Sequence, residues 1–267
     1  MPPIERLAAN GEEFSKLGAE YFREYAISQM EVGRTHLEKA ANEIGRLMVR
    51  LGQKQVCDAY RRQFSGVGDE HKVAELLCEI TVCVSMADIS DEFELRPSTT
   101  GKKRCDFRAM LAGHYVWGEV KRYEDTWFEK PHLSGRAISM QSYVNARGRA
   151  AIPRAEQLRE KLDGYAAGRH PNGVPEQFLK NQINLLFIIH RSYGESERDL
   201  HDALFGDRES NNGLFMRERW RNVSACCWSG VDGNDSFTIR KIWGNPNALM
   251  AVPENVLTEL RQAAVNP

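Results

Sequence analysis

Asp106, in "CDFRAML", and Glu119 and Lys121, in "HYVWGEVKRY", are charged residues inside apolar sequence that reads as two β-strands around Ala112 and Gly113. If those two residues form a hairpin loop, Leu111 stands opposite His114 and Asp106 directly opposite Glu119. Directly opposed residues have Cβ atoms about 4.5–5.5 Å apart, where like charges repel unless something positive lies between them. A hard divalent cation meets that demand, since Mg²⁺ takes carboxylate oxygens at about 2.0–2.1 Å and keeps several waters. Lys121 lies two residues beyond Glu119 and shares its face of the strand, so two acids and a base converge. The reading depends on register, because a longer loop or a one-residue slip turns one acid to the opposite face. The competing use of the same charges is a structural ion-pair network on a half-exposed hairpin.

The elements around the hairpin follow from periodicity. Residues 10–64 are rich in Ala, Glu, Leu, Arg and Met and contain no proline, and Leu37, Ala40, Ala41, Ile44, Leu47, Met48 and Leu51 recur at helical spacing. After "SGVGDE" a second helix, His71 to Met86, is apolar nearly all round and reads as a core element. "DEFELRP" alternates as a strand ending at Pro97, and a polar, helical stretch follows the hairpin to about residue 168. "NLLFIIH" is a continuous apolar run of the kind that forms a central strand. A short helix over 195–205, an Arg-rich and Asn-rich loop over 206–221, a hairpin of "VSACCWSG" and "SFTIRKIW" about "VDGND", and a final helix in "PENVLTELRQAA" complete the chain. The expected class is α/β, a mixed β-sheet flanked by helices, with residues 1–65 as a helical N-terminal extension and 66–267 as the α/β domain.

Composition narrows the chemistry. The 267 residues carry a formal charge of -1, yet residues 100–159 hold 12 Lys and Arg against 6 Asp and Glu, while the segments on either side are acidic. Positive charge around a carboxylate-bearing strand suits a polyanion. No apolar run reaches the length of a membrane span or a leader, so a soluble, cytoplasmic protein without membrane attachment is expected. The six cysteines lack Cys-x-x-Cys spacing and read as buried thiols, and the seven histidines lack metal-motif spacing. Trp117, Trp220, Trp228 and Trp243 read as core or hinge residues rather than base-stacking platforms. Neither a Walker-type loop nor a Gly-x-Ser-x-Gly elbow is present, which sets aside ATP-driven and serine-hydrolase chemistry.

"CDF", then the hairpin, then "EVK", with a Glu-bearing helix before it, resembles the PD-(D/E)XK nuclease superfamily over about residues 70–190. The proline of the family name is Cys105 here. The resemblance implies a restriction-endonuclease-like fold and a Mg²⁺-dependent nuclease, with Mn²⁺ as a possible substitute. It implies metal binding by Asp106 and Glu119, with Lys121 activating or orienting the attacking water. It further implies a helix carboxylate at Glu79, with Glu75 one turn away as the second choice, and a site-facing glutamine at Gln157. The implied partner is nucleic acid, DNA before RNA, whose phosphates Lys102, Lys103, Arg104, Arg108, Arg122, Arg147, Arg149 and Arg154 would contact. The N-terminal helices would serve as a lid, a substrate clamp or a homodimer surface. A catalytically idle version of the fold, acting as a nucleic-acid-binding or protein-interaction module, is the rival expectation.

Overall fold

The hairpin forms in the expected register. In the computed structural model, which describes residues 34–64, 70–97, 105–123, 154–163, 178–190, 197–206, 212–231 and 237–263, strands β2 (Phe107–Leu111) and β3 (His114–Tyr123) pair antiparallel, with Leu111 opposite His114 and Phe107 opposite Gly118. Ala112 and Gly113 both take positive φ, 47° and 77°, the pattern of a type I′ turn whose twist matches that of the strands. Asn255 donates to the Ala112 carbonyl at 3.2 Å and ties this turn to the last helix.

Among the described residues six strands form one sheet in sequence order: β1 (Phe93–Leu95), β2, β3, β4 (Ile183–His190), β5 (Ala225–Val231) and β6 (Phe237–Gly244). The β1–β2, β2–β3 and β5–β6 pairs are antiparallel, whereas β3–β4 and β4–β5 are parallel, so the sheet is mixed and open. "NLLFIIH" is indeed central, between two parallel neighbours, with residues 184–189 buried.

Helices cover both faces. On one side lie α1 (Arg34–Leu51), α2 (Gln53–Phe64), α3 (Glu70–Ile89) and α6 (Glu254–Ala263), and their apolar residues, among them Ile44, Met48, Tyr60, Ile80 and Leu260, share one core with Phe107, Val120 and Phe187 of the sheet. Residues of the N-terminal helices thus belong to the same core as the sheet. Gly52 (φ 89°) breaks the long N-terminal helical pattern into α1 and α2, its N–H closing on the Met48 carbonyl at 2.9 Å. On the other side α4 (Arg154–Leu162) and α5 (Glu197–Phe205) pack with Trp117, Leu186, Ile188 and Trp220. These helices lie between β3 and β4 and between β4 and β5, and two right-handed crossovers stepping the same way along a sheet put both helices on one face.

One segment differs from expectation. The Arg-rich stretch read as a loop contains two 3₁₀ turns, Leu214–Met216 and Glu218–Asn222, and its Leu214, Phe215 and Trp220 are fully buried. Three-residue spacing is too short to print a helical period on the sequence. The tryptophans sit as core reading requires: Trp117, Trp220 and Trp243 are buried, and Trp228 stacks on Trp243 at 6.2 Å.

Two substitutions test the hairpin. Ala112→Asn, which tolerates positive φ, should stabilise the protein by up to about 1 kcal/mol. Gly118→Ala should destabilise it by about 1–3 kcal/mol or more, because an added Cβ would overlap the Phe107 ring. Urea denaturation measures both.

Candidate metal centre

The site is assembled where β3 parts from β2. Asp106 lies one residue before β2, and its N–H still bonds the Gly118 carbonyl at 2.9 Å. Its side chain then leaves the ladder pattern: Oδ2 accepts the Val120 N–H at 2.8 Å, replacing a main-chain carbonyl. That bond fixes the Asp106 carboxylate against the Glu119–Val120 peptide. Gly118, just before Glu119, lets the Phe107 ring lie close over β3, and Phe107 itself stacks on Phe93 at 5.5 Å. The hairpin is therefore rigid at the point where its two acids meet.

Glu119 is 1% exposed and Asp106 7% exposed, so neither is a solvated surface charge. Lys121 pairs with Glu119 Oε1 on the same face of β3, while Glu119 Oε2 is buried without a hydrogen-bond partner. From the helical side Glu79 of α3 joins them, buried, with Oε1 accepting from Arg96 Nη2 at 2.8 Å. The same guanidinium nitrogen lies 3.8 Å from Asp106 Oδ1. Glu75, the alternative helix carboxylate, is exposed one turn away and outside this group. The backbone of Gln157 lies on α4, but its side chain falls outside the described residues. Of the basic residues expected around the site, Arg108 pairs with Glu94 at 2.9 Å and stacks over Tyr115, and Arg122 is half-buried. Lys102, Lys103, Arg104, Arg147, Arg149 and the Arg154 side chain fall outside the described residues.

Two further residues complete the charge set. Arg96 follows β1 with φ 47°, a left-handed conformation costly for a side chain of this size, and its guanidinium enters the space between Glu79 and Asp106. Tyr60 of α2 places its ring under Arg96, 5.6 Å from ring centre to guanidinium carbon, hydrogen-bonds Glu79, and points its hydroxyl at Cys83 Sγ 3.9 Å away. Neither residue carries a motif. Arg96 is one arginine of many, before a proline, and Tyr60 lies in a helix whose pattern reports only its apolar face.

Electrostatics follows from counting. Among the described residues three carboxylates face two cations, which leaves one negative charge unmatched in a buried place. Burial, with the neighbouring Asp106 charge second, pushes Glu79 up to about 7 and Glu119 up to about 8. Burial raises Asp106 too, against the opposing pull of Lys121 and Arg96. For Lys121 and Arg96 burial alone would favour the neutral form, but the surrounding carboxylates overcome it and hold both firmly protonated.

This donor set fits a hard cation. Oxygen ligands dominate, one carboxylate oxygen is orphaned, and the net charge is negative. Yet among the described residues no three His, Cys, Asp or Glu side chains stand gathered to hold a metal ion. Arg96 and Lys121 occupy positions between and beside the acids instead. Compared with protein-family models, curated proteins and solved structures, the chain matches none. Among the described residues no helix is long and apolar enough to cross a membrane.

Carboxylates held above their ordinary range retain protons in the folded state that the unfolded chain releases. Folding stability is therefore greatest at low pH in this window and falls as pH rises from about 5 to about 8. Thermal unfolding in EDTA should show Tm dropping across that window, and Glu119→Gln should flatten the drop and raise Tm at its upper end. A Tm that rises with pH there would contradict the assignment.

Proposed function

We propose that this chain is a divalent-metal-dependent nuclease of the PD-(D/E)XK type, hydrolysing phosphodiester bonds in nucleic acid, with DNA as the first substrate to test. The observation that carries the reading is the buried Asp106–Glu119 pair, held across a hairpin with Lys121 on the Glu119 face and one Glu119 oxygen left without a partner. The element order supports it: α3, three antiparallel strands, α4, then β4 parallel to β3 is the helix, strand, strand, strand, helix, strand order of the resemblance.

Asp106 and Glu119 would hold the ion, and Glu79, paired with Arg96, would stand beside them. A divalent cation bound there supplies Lewis-acid polarisation of a phosphate oxygen and an acidified water. Lys121, kept charged by its carboxylate neighbours, orients the attacking water and offsets negative charge growing on the phosphate. Asp106 cannot swing away without giving up the Val120 N–H, so its oxygen is preorganised. Arg96 holds Glu79 in place, and Tyr60 holds Arg96.

A second reading has an observation of its own. Arg96 and Lys121 already neutralise two of the three acids, as in a structural ion-pair network or an idle nuclease fold that binds nucleic acid or another protein without cutting it.

Incubation of plasmid, linear and single-stranded DNA, and of RNA, with Mg²⁺, Mn²⁺ or EDTA separates the two. On the nuclease reading Asp106→Asn and Lys121→Met, each still folded by circular dichroism, lower the cleavage rate by about 10²–10⁴-fold. Cleavage by wild type should also strengthen as pH rises through the range where Glu79 and Glu119 ionise, about 7 and about 8. A folded wild type that binds metal and cuts no substrate supports the idle fold.

A further inference from the structure

On the face of the sheet carrying α4 and α5, a second charged cluster shares no residue with the carboxylate centre. Asp163 closes the end of α4, its N–H bonding the Arg159 carbonyl at 2.9 Å, so these two residues stand one helical turn apart on one face. Asp163 is buried; its Oδ1 accepts from Trp220 Nε1 at 2.8 Å and its Oδ2 serves both Arg217 and Arg219. One carboxylate therefore answers two guanidinium groups.

Arg159 is the third, and among the described residues it pairs with no acid. It is 5% exposed, and among the described residues its Nη2 reaches the Asp202 carbonyl at 3.4 Å while its Nε has no acceptor. Asp202 itself lies beside Arg198 at 3.7 Å and His201 at 3.3 Å, through its side chain. Burial, then Arg219, then Arg159 work against the Arg217 charge, which is what crowded guanidinium groups do to one another. Burying an arginine without a counter-charge is unfavourable unless an anion completes the set.

The cluster is held on rigid backbone, and two of its arginines reach solvent. The 3₁₀ turn bearing Arg219 and Trp220 is held from beneath by Asn245, whose Nδ2 donates to the Trp220 and Val223 carbonyls at 3.0 and 2.9 Å, and by Asn184, which donates to the Asn222 carbonyl at 2.7 Å. Above it the Arg217 and Arg219 side chains remain 37% and 52% exposed.

We propose that Arg159, Arg217 and Arg219, arranged around Asp163, form a binding site for a phosphate group. Three guanidinium groups against one carboxylate leave two positive charges, which a phosphate dianion cancels, and planar guanidinium forks match its oxygens. Trp220, bonded to the same aspartate, floors the site. The chemistry is shared by free phosphate, a nucleoside monophosphate and the backbone of a nucleic-acid strand. No metal takes part, so the site stands whether or not the carboxylate centre cuts.

The full-length protein is titrated in EDTA with inorganic phosphate, a nucleoside 5′-monophosphate and a short DNA duplex, against chloride at matched ionic strength, reading Tm and calorimetric Kd. Wild type should gain Tm with at least one of the three. Binding of phosphate and monophosphate alone identifies a free ligand, whereas a preference for the duplex that weakens with salt identifies a strand. Arg217→Gln/Arg219→Gln should weaken binding about tenfold or more. Arg159→Met removes an unmatched charge, so its Tm without phosphate should equal or exceed that of wild type while its response to phosphate disappears. The proposal is overturned if wild type responds to none of the ligands, if the double variant responds as wild type does, or if Arg159→Met loses Tm yet keeps the response.

Discussion

The desolvation of three carboxylates against two cations is the constraint on which the rest of this structure depends. Glu79, Asp106 and Glu119 come from a helix, the entry to one strand and the middle of another, and each has lost nearly all contact with water. Such a set is stable only if its partners are fixed, because a buried acid that can drift from its counter-charge takes up a proton instead. Each partner accordingly has a support of its own. The Val120 amide holds Asp106, the Tyr60 ring underlies Arg96, and the close approach of Phe107 to Gly118 stiffens the strand that carries Glu119 and Lys121.

This explains why the N-terminal helices are packed as they are. α1 and α2 bury Ile44, Leu47, Met48, Val56 and Tyr60 in the core that also receives α3 and the sheet, and Tyr60 is where that packing touches charge. Arg96 takes a strained left-handed backbone to reach the acids, and the strain is held by what surrounds it: its N–H bonds the Asp106 carbonyl at 2.8 Å while its side chain is clasped by Glu79 and Tyr60. Removing any one of these groups loosens the others, so single substitutions in this region will not add independently.

How much of this was legible in the sequence depends on the range of the interaction involved. The hairpin register and the meeting of Asp106 with Glu119 were legible because strand alternation and a two-residue turn are local, even though Ala-Gly is a weaker turn signal than Asn-Gly. The central strand was legible because a parallel strand buried on both faces reads as unbroken apolar sequence. Glu79 was preferred to Glu75, one turn away on the same helix face, for its spacing to the strand that begins near Glu92, and the structure buries Glu79 and leaves Glu75 exposed. Arg96 and Tyr60 were not legible: each reaches the acids through tertiary packing, from elements whose own patterns do not mention charge. The buried turns at Leu214–Met216 and Glu218–Asn222 were missed for another reason, since polar and arginine-rich composition concealed Leu214 and Phe215 and left Trp220 as the one residue there read as core. The Asp163 cluster was hidden with them, being made of residues 54 positions apart.

Cys226 and Cys227 stand side by side on β5, and strand alternation sends them in opposite directions, Cys226 into the core beneath α4 and α5 and Cys227 into the core beneath α1, α3 and α6. Both are free and fully buried, and burial holds the thiol of Cys227 up at about 12 and that of Cys226 well above its usual value, so neither reacts while its layer stays closed. Adjacent residues of one strand thereby report on separate halves of the molecule. Alkylation of the first without the second means that the α4–α5 layer has lifted while the other holds, and the reverse pattern means the opposite. A single proteolytic fragment spanning the pair would carry the opening history of both layers.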